Sequence, residues 1–288
     1  MNIRLDSSLE FPWGQTELDR ALSPNVLMGM PHLTPFGLSE SWLLKELGHR
    51  HWLLVARAAN MEDADFRDRE GREVYAAISA LSMNGVKLLR IKANSVLTIS
   101  SSVRRISRTQ CWSRHDLEAN GTPAGSVEMI STFVVRAREG DNHSIARVSI
   151  DGLPEIDQRG FPQVADALRS KTAAVHFGFH LDQTEVRARK TFEPDVVRDF
   201  NGAGLLYFSN FPAIADGIIR QELGFYPAQL ESFDRDVFYA GNLNAGDIVD
   251  VELVSAKLAG RDFGSYVRIL RHNGAQIASI YLRGRTCG

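Results

Sequence analysis

The chain has 288 residues, of which 44% are hydrophobic and 24% charged, enough for one large or two ordinary domains and outside the disordered and fibrous classes. A formal net charge of −2 argues against a dedicated nucleic-acid binder, and no run of about 18 apolar residues exists to span a bilayer. The opening stretch MNIRLDSSLEFPWGQ carries acids and a proline where a signal peptide needs a basic start and an apolar stretch. Cys111 and Cys287 form neither a disulfide framework nor a metal-ligand spacing. The expectation is a soluble cytoplasmic protein without a metal.

In chain order, the first predicted helix is GLSESWLLKELG, residues 37–48. Ser39 is its cap and Gly48 its stop, and Leu38, Trp42, Leu43, Leu44 and Leu47 leave few polar positions, as in a helix buried on most sides. The runs that follow read as strands: HWLLVARA, EVYAAISALSM, VKLLRIKANSVLTISSSVRRIS and SVEMISTFVVRARE. Residues 151–175, starting DGLPEIDQRGFPQ, read as a connector with a short helix at 163–170. A second helix, SNFPAIADGIIRQELG, has Phe211, Ile214, Ala215 and Ile218 at i, i+3, i+4, i+7, with Asn210 as cap, Pro212 in the first turn and Gly224 at the end. Strand-like runs again follow it, DVFYAGNLNAGDIVDVELVSAKLAG, FGSYVRILRHNG and AQIASIYLRGR, and Asn84-Gly85, Asn120-Gly121 and Asn273-Gly274 mark turns. Both helices close on Glu-Leu-Gly. The plan is a tandem α+β repeat: an N-terminal extension 1–24, a first half 25–150, the connector, and a second half 176–288.

Residues 29–52, GMPHLTPFGLSESWLLKELGHRHW, together with 205–219, LLYFSNFPAIADGII, resemble the bifunctional acyltransferase/decarboxylase of leinamycin-type polyketide pathways, from near Asn25 over nearly the whole chain. The resemblance implies a double hot-dog fold, two tandem antiparallel sheets each wrapped around a long central helix. It implies an enzyme that takes a methylmalonyl-CoA thioester, loses carbon dioxide and delivers propionyl to an acyl carrier protein. Tyr75, in GREVYAAISAL, matches the tyrosine proposed there as acyl acceptor, and Ser209-Asn210 matches a Ser-Asn pair at the second helix. The family's acidic residue near the tyrosine strand has no counterpart in SALSMNGVKLL.

Ser209 and Asn210 stand where a helix leaves its first N–H groups unpaired and its dipole favours negative charge. They are either a start signal or, with the N–H of Phe211, donors to a thioester oxygen or enolate. Tyr75 shares a strand face with Ala77 and Ser79. With no partner base readable, it is either a covalent carrier or a hydrogen-bond donor. His32, before the first helix, orients the Tyr75 region, serves as a base, or only caps a loop. Gly204, in the loop NGAG, lets the chain approach a ligand closely, so His32, Phe211 and Gly204 are the expected substrate-binding residues. His49 and His51 read as a helix exit, and His176 and His180 lack a third metal ligand. Asp199 is a turn residue or a carboxylate beside the thioester, while Asp216 faces solvent or an arginine. Arg104, Arg105, Arg108 and Arg114 form either a solvated strand face or a basic rim for coenzyme A and an acidic carrier.

The expected function is decarboxylation of a (methyl)malonyl-CoA and acyl transfer to an acyl carrier protein in secondary metabolism. Acyl-CoA and the carrier are then the partners, with homodimer formation open, no nucleic acid, no membrane and no cofactor beyond the acyl-CoA substrate. The alternatives are a hot-dog thioesterase or dehydratase, or a non-catalytic carrier-binding module.

Overall fold

The computed structural model describes residues 17–169 and 175–287. The expectations for the opening stretch and for Ser170 as the end of the connector helix lie outside them. Ten principal strands form one antiparallel sheet: β1 (Asn25–Leu27), β2 (Tyr75–Val86), β3 (Val96–Arg105), β4 (Gln110–Ala119), β5 (Thr122–Arg136), β6 (Ala188–Phe192), β7 (Leu230–Tyr239), β8 (Val249–Ala259), β9 (Asp262–Arg271) and β10 (Gln276–Thr286). Their order is β1-β3-β4-β5-β2-β7-β10-β9-β8-β6, and a short eleventh strand, Ile145–Arg147, adds to β5. The order reads the same from either edge. Each half runs edge strand, helix, four strands, and the halves join through β2 and β7.

The helices of the two halves are α1 (Glu40–Ala58) and α2 (Asn210–Leu223). Leu43, Leu44 and Leu47 of α1 share one core with Phe211, Ala215 and Ile218 of α2 and with the inward residues of both sets of strands, among them Leu81, Met129, Val237 and Ile280. A helix alone cannot hide so apolar a stripe, and this shared core supplies the cover. On the opposite face, Val164 and Ala165 of the helix Gln163–Arg169 cover Ala80 and Ile130.

Three expectations are corrected. The run HWLLVARA is helix, not strand, because α1 continues to Ala58 and buries Arg50, His51, Leu53, Val55 and Ala56. Gly48 therefore stops nothing. A Cβ there would lie 2.6 Å from the Phe208 ring, so the missing side chain admits Phe208 from the other half, which offsets the roughly 1 kcal/mol a mid-helix glycine costs. Gly224, by contrast, ends α2 with φ 73°. Likewise Asn120-Gly121 is a hairpin turn with φ 49° and 75°, whereas Asn84-Gly85 lies inside β2, where the Gly85 N–H donates to Asp234 at 2.7 Å.

Candidate functional site

The central strands β2 and β7 pair from Val86↔Phe233 to Ala80↔Phe238 and then part. The residues just beyond the last pair, Tyr75–Ser79 on one side and Tyr239–Asn242 on the other, line a cavity of about 870 Å³. Residues 201–203, 205–208 and Phe211 close it from the second half, and Gly48, His49 and Trp52 of α1 reach it from the first. Trp52, Ile78, Val134, Leu206, Phe208 and Phe211 supply apolar wall.

The polar groups on this wall are ordered by hydrogen bonds. Tyr75 Oη donates to Glu73 Oε2 at 2.6 Å and accepts from Arg136 Nη1 at 3.0 Å. The Arg136 guanidinium also lies over the Tyr75 ring, 5.0 Å from its centroid. Arg136 Nε donates to Asn142 Oδ1 at 2.7 Å, and Nη2 donates to the Ala203 carbonyl of the other half. Buried Asn142 donates through Nδ2 to the carbonyls of Gly204 and Leu243, both at 2.6 Å. One network thus runs from Glu73 through Tyr75 and Arg136 into the 201–205 loop. Burial raises the Tyr75 phenol, the bond to Glu73 raises it further, and Arg136 opposes. The phenol keeps its proton at neutral pH.

The expected site residues meet this cavity unevenly. Tyr75 and Phe211 line it. Gly204 (φ 67°) holds the loop turn, and its neighbours Ala203 and Leu205 form the wall. Ser209 and Asn210 do not line it. Ser209 is fully buried, and its Oγ has no partner among the described residues. The Asn210 amide donates to the Asp199 carbonyl at 2.8 Å, while the N–H groups of Asn210 and Phe211 are taken by the carbonyls of Tyr207 and Phe208. Those donors are engaged in the tight turn into α2. Nor does Asn210 cap the helix, since it is the first helical residue. His32 lies apart, at the entrance of α1, where Nδ1 accepts the Gly29 N–H at 2.9 Å and the ring packs on Trp42.

The remaining candidates resolve structurally. Asp199 closes the turn onto Asp195 N at 2.8 Å, and Asp216 pairs with Arg235. His51 lies under the sheet with Nδ1 2.7 Å from Ser113 Oγ, and His176 binds Asp236 at 2.8 Å. Arg104 and Arg105 hold connector carbonyls at Gly160 and Pro154, and Arg114 pairs with Asp116 and Glu128.

Sequence reading missed Glu73, Arg136, Asn142 and His143. For Glu73 a signal existed: two residues before Tyr75 on an extended chain, it shares the tyrosine's face. Arg136 and Asn142 reach Tyr75 and Gly204 across 61 and 62 residues, a distance no local pattern reports.

No protein-family model and no curated protein matches the sequence. Solved structures do match over most of their length. A 12:0-ACP thioesterase from Umbellularia californica is similar at TM-score 0.64 and 8% identity, with 90% of this chain and 94% of that one covered. A protein named as an oleoyl thioesterase from Lactobacillus plantarum gives 0.64 and 10%, covering 92% and 95%. An acyl-ACP thioesterase from Bacteroides thetaiotaomicron gives 0.51 and 10%, covering 90% and 95%. The fold is therefore the hot-dog fold of such thioesterases. At these identities the likeness extends to the fold alone.

Proposed function

We propose that the chain is an acyl-thioester enzyme built from two hot-dog units, and that it hydrolyses its substrate. One observation carries the reading: a carboxylate, Glu73, stands bonded to Tyr75 in the wall of a cavity lined from both halves. A volume of about 870 Å³ suits a pantetheine arm with its acyl group, and the thioesterase names of the structural neighbours agree with that chemistry. Glu73 is the general base. Its second carboxylate oxygen binds water and takes the proton as the water oxygen adds to the thioester carbon, after which the C–S bond breaks and acid and thiol depart. Tyr75 fixes the carboxylate, and Arg136 fixes Tyr75. A phenol that holds its proton is a poor acyl acceptor, which favours direct hydrolysis over an acyl-tyrosine.

A second reading, decarboxylating acyl transfer to an acyl carrier protein, draws on the sequence resemblance and on Arg147. This exposed cavity residue has no ion pair among the described residues and suits a substrate carboxylate. Mass spectrometry of products from a panel of acyl-CoA thioesters, with and without a carrier protein, separates the two. Free acid supports hydrolysis, and carrier-bound propionyl or acetyl supports transfer. Glu73→Gln should lower acid release about 100-fold, and unchanged release from that variant would refute the base assignment.

A further inference from the structure

The cavity wall holds a second acid–base pair that hydrolysis by Glu73 does not use. His143 lies in the short turn Asn142–Ser144, after β5, and lines the cavity. Its Nε2 lies 2.6 Å from Oδ2 of Asp247, a residue of the other half. A carboxylate can only accept, so Nε2 carries a proton and the ring orientation is set by Asp247. Nδ1, the other ring nitrogen, has no hydrogen-bond partner among the described residues, although the ring is about one-third exposed. Asp247 is itself held by the Asn244 N–H at 2.7 Å, and the His143 N–H donates to Asp141 at 2.9 Å. His143 follows Asn142 in sequence, and Asn142 is one bond from Arg136 and two from Tyr75. The ring is thus tied into the same network as Glu73, through the turn that follows the β5 partner of Tyr75.

We propose that His143 is a catalytic residue of this cavity, the general acid for the departing thiolate, with Asp247 as its positioning partner. The proposal rests on the hydrolytic reading. When the C–S bond breaks, its electron pair leaves on sulfur. The imidazolium, ion-paired to Asp247 through Nε2–H, gives its Nδ1 proton to that sulfur and becomes neutral. Water addition has meanwhile placed one proton on Glu73, and transfer of that proton to solvent and from solvent to Nδ1 restores both groups. Proton and electron counts close without a further reactant. Among the described residues, Asp247 is the charged group bonded to the ring, while Asp141 accepts the His143 backbone N–H and pairs with Arg138.

The test uses the full chain and the acyl-CoA thioester it hydrolyses best. His143→Gln should lower kcat about 100-fold with KM within about threefold, and should remove the alkaline limb of the kcat profile. Asp247→Asn keeps an acceptor for Nε2–H but loses the charge, and should lower kcat by less than His143→Gln does, with KM unchanged. Added imidazole should restore part of the rate of His143→Ala, a rescue that a purely structural residue would not show. A His143→Gln enzyme with wild-type kcat and profile overturns the proposal. If the wild type cleaves no thioester, the hydrolytic reading fails and the general-acid role falls with it, whereas a wild type that hydrolyses beside an equally active His143→Gln enzyme refutes the His143 assignment alone.

Discussion

Glu40 offers a test of how the halves are held together. It begins α1, directly after the cap Ser39, and only 13% of its side chain is exposed. Arg235 of β7, fully buried, lies between it and Asp216 of α2: Nη1 and Nη2 both donate to Asp216 Oδ1 at 2.9 Å, and Nε is 3.2 Å from Glu40 Oε1. One guanidinium faces two carboxylates, so a proton is taken up near neutrality. Burial pushes Glu40 from its ordinary 4.5 to about 7, Arg235 opposing and Asp216 reinforcing. A carboxyl raised on folding contributes stability that is whole below about pH 4.5 and is lost as pH climbs through 7. The loss is about 3 kcal/mol, or roughly 5 °C in Tm for a chain of this length. The α1 dipole favours the charged form by less than about 1 kcal/mol, too little to reverse the sign. Glu40→Gln should therefore match the wild type near pH 5 and exceed it by about 3 kcal/mol at pH 8. Paired urea or thermal melts at pH 5 to 8 measure the difference, in which contributions of other groups cancel. A Gln variant no more stable than wild type at pH 8 refutes the reasoning.

Burial holds His51 and His115 well below the ordinary imidazole range, to about 4 and about 3. Their contribution is present above pH 6.5 and lost as pH falls through those values, and ring NMR should show no His51 midpoint near 6.5. Gly48→Ala gains about 1 kcal/mol of helix propensity but drives a Cβ to 2.6 Å from Phe208, so melts should show a net loss of about 1–2 kcal/mol and weakened thioester binding. A stabilised variant would refute the close approach. Asn142→Ala strips the carbonyls of Gly204 and Leu243 of their donor; it should cost about 2–3 kcal/mol and speed hydrogen exchange across 201–206. Tyr75→Phe should slow hydrolysis about 10-fold or more. Cys111→Ser should not, because that thiol is buried and pushed up to about 12.

The repeat was legible because its signals are local. The apolar stripe of α2 and the turn at Asn120-Gly121 both follow from signals that neighbours in sequence carry. Local reasoning failed at Gly48 for the same cause. A glycine after Glu-Leu reads as a stop at both helices, and only the Phe208 ring, 160 residues away, separates a helix end from a helix crossing. At the α2 entrance, Ser209 and Asn210 carried the right chemistry, but the tight turn from Tyr207 and Phe208 turned those groups inward.

By itself, then, the sequence determined two helix-plus-strand halves of antiparallel type and a tyrosine on an alternating strand, because spacing along a chain dictates which residues share a face. Tertiary structure alone decided where the halves part, that Arg136 holds Tyr75, and that His143 meets Asp247 across the seam. Those meetings depend on how two sheets join at β2 and β7, and contacts made across a hundred residues leave no periodic trace in the chain.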